Sequence, residues 1–395
     1  MNTSFYTARS AKGALPVNVN IAGHAFAAGL KMQTVDRIVR TVSLEDNSGA
    51  RIAGRSYFLT LGDDEALIKD STVLRCLKIK SATDNGAAPG MEAYRTDPSS
   101  PIIQPTHKME IENNGTIRLE PAPEHPTGTG YLEEAENEFY TMFFAHEKGI
   151  PVPLPIGFGS FPELRFMGRE TGFVIMAQED PFDTRLISRM VSLCDAAQQS
   201  GSAAKRDAFE TFRKNVSASA NILGRMHMNG ICHTHPHLDN FVEDNGKVKI
   251  CDFTNARLAK DLTREQFAAR VFNDYRHLYT SVYGSIAYYN PATKQFSIGP
   301  ELLQRMIIAA GLPALFGGLD ATDKSGYFSQ EMLAYLPKIA GRREYFRVDD
   351  FMRMTIDKWN PQRLNGARLS SLEHRSVELL LSLAGSIYQD LSPTK

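Results

Sequence analysis

The stretch that decides the fold reads Gly230-Ile231-Cys232-His233-Thr234-His235-Pro236-His237-Leu238-Asp239-Asn240-Phe241-Val242, then, past Asn245-Gly246, Lys249-Ile250-Cys251-Asp252-Phe253. The apolar runs 241–242 and 248–251 flank Asn-Gly, a pair that tolerates positive φ, which is the strongest short-range hairpin signal in the chain. Upstream, Phe212, Val216, Ala220, Leu223 and Met226 recur at helical spacing, so a long helix with a core-facing stripe leads into Gly230. A loop dense in His, Asp and Asn thus lies between a helix and a hairpin. Asp252 follows a strand of buried character, where an uncompensated carboxylate is costly, so it needs a cation.

Working outward, residues 37–44, 55–61 and 73–80 are β-like runs separated by Gly, Asp and Asn, which predicts an antiparallel meander. Residues 81–130 hold seven of the 20 prolines and five glycines, so most of this segment is expected to be loop. Within it, 108–112 and 116–120 flank Asn113-Asn114-Gly115 and predict an inserted hairpin. Residues 132–148 read as a helix stopped by Gly149-Ile150-Pro151-Val152-Pro153. Residues 173–177 read as a short apolar strand. From about residue 264 to 388 the spacing is helical, with breaks at Pro300, Pro313 and Pro361. No internal repeat is present.

The chain has 395 residues, 42% hydrophobic and 23% charged, with 44 Lys and Arg against 45 Asp and Glu. That length suits two or three units with a large core. The charge balance argues against a nucleic-acid wrapper or a charge-driven membrane binder. No run reaches the eighteen or so apolar residues of a membrane helix. Cys76, Cys194, Cys232 and Cys251 are too dispersed for a zinc ribbon or disulfide framework, so a reducing, cytoplasmic setting is expected. The first 35 residues lack Asp and Glu and carry five Ser or Thr, a composition that fits a flexible start or an export segment of an effector.

The 230–257 region resembles the catalytic loop and metal-binding strand of the protein-kinase-like superfamily, which read H-x-D-x-x-x-x-N and Asp-Phe. His233, Asn240 and Asp252-Phe253 fall in register. The small-molecule and lipopolysaccharide-kinase branch is most similar, since its loop carries a second histidine where His237 stands. The resemblance implies an upstream strand lysine, matched by Lys78, and a helix glutamate, matched by Glu138 before the Gly-Ile-Pro-Val-Pro stop. Residues 173–177, with Met176, take the place of the strand bordering the adenine. Together these imply an α+β, two-lobed fold: a flexible segment 1–36, a β-rich N-lobe 37–178 with insertion 81–130, and a helical C-lobe 179–395. The implied cofactors are ATP and Mg²⁺, with Lys78 and Glu138 positioning phosphates and Asp252 and Asn240 holding the metal.

One departure stands out, because the position of the family's catalytic aspartate is His235. A neutral imidazole can take the acceptor's proton near pH 7, and Asp239 is a substitute carboxylate close by. The expected activity is phosphoryl transfer to a hydroxyl of a protein or an anionic sugar or lipid. The alternatives are a pseudokinase or nucleotide-binding scaffold, and nucleotidyl transfer on the same fold. A further alternative is a metal-dependent hydrolase, because Thr234-His235-Pro236-His237-Leu238-Asp239 is similar to the metallo-β-lactamase motif, with zinc on His235 and His237. The phosphate-covering loop is undefined, with 48–54 and 61–64 as candidates. Residues 321–395 carry eleven Lys or Arg against nine Asp or Glu, with Lys338, Arg342, Arg343, Arg347 and Arg353 bunched, which favours an anionic acceptor over an aminoglycoside. Trp359 reads as core packing.

Overall fold

The computed structural model describes residues 3–8, most of 15–82, short strands between 102 and 126, most of 129–262 and scattered helical positions from 267 to 282. The expected helical breaks at Pro300, Pro313 and Pro361, the basic cluster at 338–353 and Trp359 lie outside the described residues.

The chain opens with β1 (Thr3–Ala8) and β2 (Val17–Ala22), then the helices α1 (Gly23–Ala27) and α2 (Met32–Val42). Next come β3 (Ala50–Ala53), β4 (Ser56–Thr60), β5 (Leu67–Lys69), β6 (Thr72–Leu74) and β7 (Cys76–Lys80). Short strands β8 (Ile102–Ile103), β9 (His107–Ile111), β10 (Ile117–Pro121), β11 (His125–Pro126) and β12 (Gly130–Tyr131) precede α3 (Leu132–Glu147). After it run β13 (Leu154–Phe166), β14 (Arg169–Gln178) and the long helix α4 (Ser202–Met228). The last described strands are β15 (Ile231–Cys232), β16 (Phe241–Asp244), β17 (Lys247–Ile250) and β18 (Arg257–Leu258).

One antiparallel sheet in the order β1-β2-β13-β14-β7-β4-β3 dominates the N-terminal half, with β12 on β14. Its two faces follow the period-two alternation of a strand. Tyr57, Leu59, Leu77, Ile79, Ile175 and Ala177 bury one face in a core with Val35, Ile38, Val39 and Val42 of α2. The alternate positions Phe58, Lys78, Lys80, Val174 and Met176 form the other face, in the registers Phe58↔Lys78, Lys78↔Met176 and Lys80↔Val174. There α3 packs, with the Phe139 ring 5.4 Å from that of Phe158. Beyond β14 the described chain carries the long helix α4 and four short strands, giving the α+β, two-lobed arrangement that the resemblance implies.

Two expectations are corrected. Residues 37–44 are not a strand: Val35, Ile38, Val39 and Val42 recur at helical spacing and pack α2 on the sheet, which outweighs their β-branched composition. Nor is the start merely a flexible segment, because β2 pairs with β13 through Asn18↔Ser160 to Ile21↔Gly157, and Val17, Val19 and Ile21 are buried. The seam is close. A Cβ on Gly157 would meet Asn20 O, and one on Gly159 would meet Asn18 O and the Phe173 ring, nearer than side chains come. The inserted hairpin is present as β9 and β10, paired from Ile111↔Ile117 to His107↔Pro121. The 132–148 helix and the hairpin at Asn245 (φ 50°) and Gly246 (φ 74°) also stand where the sequence places them.

Candidate active site

Lys80 is the centre of the site. Its ammonium donates to both carboxylate oxygens of Glu138, at 2.9 and 2.8 Å, and to Asp252 Oδ1 at 2.6 Å. Three elements far apart in sequence thus converge on one point: the last residue of β7, the second turn of α3 and the loop after β17. Thr254 completes the group, its hydroxyl 2.9 Å from both Glu138 Oε2 and Asp252 Oδ1 and 3.2 Å from the ammonium. The lysine paired with Glu138 is therefore Lys80 and not Lys78, a correction of two residues. Residues i and i+2 share a face of a strand, so alternation cannot separate them. Lys78 stands one step along the same face, its ammonium 5.5 Å from the Phe58 ring centroid, and Arg51 lies 4.2 Å over the same ring.

Burial opposes the charge on Lys80, but the Asp252 and Glu138 carboxylates more than offset it and hold the ammonium above its ordinary range. Burial likewise opposes ionisation of Asp252. The charges of Lys80 and Arg55 and the bonds from Lys80 and Thr254 overcome this and keep the carboxyl well below the usual carboxylate range. Its side chain is 34% exposed against 3% for Glu138, so of the two carboxylates Asp252 is the one that can reach a ligand. Asp252 adopts a left-handed backbone conformation (φ 67°, ψ 63°), which is sparsely populated by non-glycine residues. Asn137, one residue before Glu138, holds this loop, its amide within 3.2, 2.9 and 3.2 Å of the carbonyls of Phe253, Thr254 and Ala256.

The 233–240 loop is pinned from below by a residue the sequence reading missed. Asp274 is fully buried and accepts from the backbone N–H groups of His233 (2.9 Å) and Thr234 (2.7 Å) and lies 2.8 Å from His227 Nε2. These bonds support the positive φ of Thr234 (75°). No signal short of the folded chain separates Asp274 from other helical acids. His233 is buried and its pKa is lowered, chiefly by burial; its Nε2 donates to the Cys251 carbonyl at 2.9 Å. The Asn240 amide donates to the His235 carbonyl at 2.8 Å, which fixes the flip and leaves Oδ1 as the acceptor end.

His235 packs edge-on against His237 and His277, with ring centroids 4.6 and 4.8 Å away. Asp239 stands apart: its side chain is 53% exposed, its carboxylate lies 3.7 Å from His237 Nδ1 and its carbonyl accepts from Arg185. Among the described residues no three His, Cys, Asp or Glu side chains are arranged to hold a metal ion, and the His235 and His237 rings meet edge to face. The oxygen donors Asp252 and Asn240 suit Mg²⁺, a hard cation that keeps several waters and binds through one or two protein oxygens plus substrate phosphates.

Met176 is buried on β14 opposite Lys78 of β7. The chain leaving β14 is anchored by Asp244 of β16, which accepts from the N–H groups of Glu179 (3.2 Å) and Asp180 (2.6 Å) and from Lys249 (2.5 Å). The hairpin after the loop thereby clamps the strand exit that joins the two lobes.

No protein-family model matches this chain, and no curated protein matches it. Solved structures do. One described as WaaP in complex with acyl carrier protein is 17% identical, over 60% of this chain and 88% of that one, with a TM-score of 0.32. A rhoptry kinase from Toxoplasma gondii is 9% identical, over 85% and 86% of the two chains, with a TM-score of 0.34. A glucosamine kinase in complex with glucosamine, ADP and inorganic phosphate is 12% identical, over 99% and 91%, with a TM-score of 0.34.

Proposed function

We propose that this chain binds a Mg²⁺–nucleoside triphosphate, ATP in the first instance, between its sheet and its helical lobe, and transfers a phosphoryl group to a hydroxyl acceptor. The observation that carries the reading is the convergence of Lys80, Glu138 and Asp252. A buried ammonium held by a buried carboxylate, beside a second carboxylate with an exposed edge, is the arrangement that neutralises phosphate oxygens and anchors their metal. Glu138 orients Lys80 toward the phosphates. Asp252 and Asn240 supply the oxygens for Mg²⁺, which when bound neutralises charge on the phosphates. Thr254 and Asn137 hold the Asp252 loop against α3, so that loop and helix move together.

His235 occupies the place of the base. Phosphoryl transfer through a loose transition state depends chiefly on positioning and electrostatics, so an imidazole at that place is compatible with turnover. His235 would accept the acceptor hydroxyl's proton, and Asp239, turned outward beside His237, is less well placed for that role. The acceptor is proposed to be anionic or a protein, on the basic composition of residues 321–395.

A second reading is a nucleotide-binding pseudokinase, favoured by the packing of His235 edge-on against His237 and His277. Incubation with ATP labelled separately at the α and γ phosphates tests both. Transfer of γ label supports the kinase, transfer of α label makes the protein a nucleotidyl transferase, and Mg²⁺-dependent binding without transfer supports the pseudokinase.

A further inference from the structure

We infer that His24 and His146 form a pH-sensitive seat for α3, one that holds the helix while both imidazoles are neutral and loosens it when they take up protons in mild acid. This adds a regulation to the nucleotide site proposed above and rests on that reading for its functional consequence. His24 is the second residue of α1, and its Nε2 donates to the Pro155 carbonyl at the start of β13 (2.5 Å). Its ring lies against α3, 4.9 Å from the Phe143 ring and 6.3 Å from that of His146, the two imidazoles being stacked at 24°. Phe143 and His146 are three residues apart and so share one face of the helix. Three elements, α1, β13 and the last turns of α3, thus meet through one half-buried imidazole pair.

Charges of both signs surround the pair. The β5–β6 hairpin is tied to α1 by the Ile68 N–H, which donates to the Ala28 carbonyl (2.8 Å), and it brings Lys69 and Asp70, exposed and 3.6 Å from each other. From α3 itself comes Glu147, while the Lys148 ammonium lies over the Phe144 ring at 5.5 Å. Burial lowers the pKa of both imidazoles. At His24, Lys69 adds to this and the Pro155 bond and Glu147 oppose it; at His146, Lys69 and His24 add to it and Glu147 and Asp70 oppose it. A proton on either ring is therefore disfavoured in the fold, and a second one puts like charges on stacked rings. The unfolded chain takes up these protons near pH 6.5, so the stability from the neutral pair is full above about that pH and is lost as pH falls through the lower folded values. The link to the site is α3. Glu138 lies eight residues before His146, about 12 Å along the same helix at about 1.5 Å per residue, so a displaced last turn moves the carboxylate that fixes Lys80.

The test combines NMR titration of the imidazoles, thermal melts and MgATP calorimetry across mildly acid to neutral pH, on the full chain and on H24Q, H146Q and K69E. The signals missing from H24Q and H146Q identify the pair. Both are expected to titrate below about pH 6.5, and MgATP affinity to fall in acid about fivefold more in the unsubstituted chain than in H146Q, the low end for coupled sites. K69E exchanges the neighbouring cation for an anion, so it should raise both titrations and shrink the acid loss, which a merely structural contact would leave in place. Imidazoles that titrate at or above about pH 6.5, or an acid loss of affinity that H24Q and H146Q share in full, overturn the inference. Should both glutamine variants unfold at neutral pH, K69E decides alone: an acid loss equal to that of the unsubstituted chain overturns it. If the unsubstituted chain binds no MgATP at any pH, the nucleotide reading falls, and the titrations and the acid loss of melting temperature still decide whether the seat exists.

Discussion

Lys80 serves two carboxylates at once, and removing it leaves both without their partner. Stranding the buried Glu138 and the partly exposed Asp252 costs about 3 kcal/mol, the low end for a broken buried pair. K80M is therefore expected to lower the melting temperature by several degrees and to weaken Mg-nucleotide binding by about 100-fold or more, whereas K78M keeps binding within about tenfold. Titration calorimetry on the two variants decides which lysine the phosphates use. The pH dependence has two limbs. Asp252, held below its unfolded value of about 3.9, stabilises the fold above that pH, and this is lost as pH falls through its folded value. Lys80, held above about 10.4, stabilises the fold below that pH, and this is lost as pH rises through its folded value. Without Lys80, burial of Asp252 is opposed only by the Arg55 charge and the Thr254 bond, so urea titrations of K80M should show the acid loss beginning at higher pH. His235 gives a separate expectation: if it is the base, H235A slows label transfer by about 10²-fold or more and H235D recovers it. Transfer within twofold of the unsubstituted rate in H235A excludes that role.

At the scale of elements, the pieces legible in the sequence are those whose signal is local. Asn245-Gly246 dictates its hairpin because positive φ is needed at both positions, and Phe212 to Met226 dictate a helix because one face must be buried. The histidine-rich loop and Asp252 were legible for a related reason, since their order and spacing survive without coordinates. What was not legible depends on partners distant in the chain. Lys78 and Lys80 are equivalent to any period-two reading until α3 brings Glu138 to one of them. Asp274 acquires its role only when the 233–234 backbone is laid across it, and α2 was obscured by Val, Ile and Thr residues that favour strands in isolation. Asp274 offers a direct check. D274A leaves two buried N–H groups without acceptors, and at about 1–3 kcal/mol for each lost partner it should lower the melting temperature sharply and abolish nucleotide binding. N137A, which leaves the Asp252 loop tied to α3 through Thr254 and Glu138 alone, should cost less stability than D274A yet still reduce label transfer; an unchanged rate would show that those ties suffice.

For the whole molecule, the sheet joins the first residues of the chain to the site. β1 and β2 extend the sheet from β13, and α2 buries the face opposite Lys80, so the start of the chain is part of the scaffold that aims the lysine. Deleting residues 1–36 is expected to unfold the N-lobe, and G159V, which puts a side chain into Asn18 O and Phe173, should do much of the same. Circular dichroism melts of both variants check this, and a deletion variant that melts like the full chain would return these residues to the status of an appendage. The two lobes meet where Lys80 and Glu138 face Asp252, the point proposed as the Mg-nucleotide site. Equilibrium binding of ATP with and without Mg²⁺, in the unsubstituted chain and in D252N, tests it most directly. The expected result is Mg²⁺-dependent binding that D252N weakens by about 100-fold. No binding, or binding indifferent to both Mg²⁺ and Asp252, would contradict it.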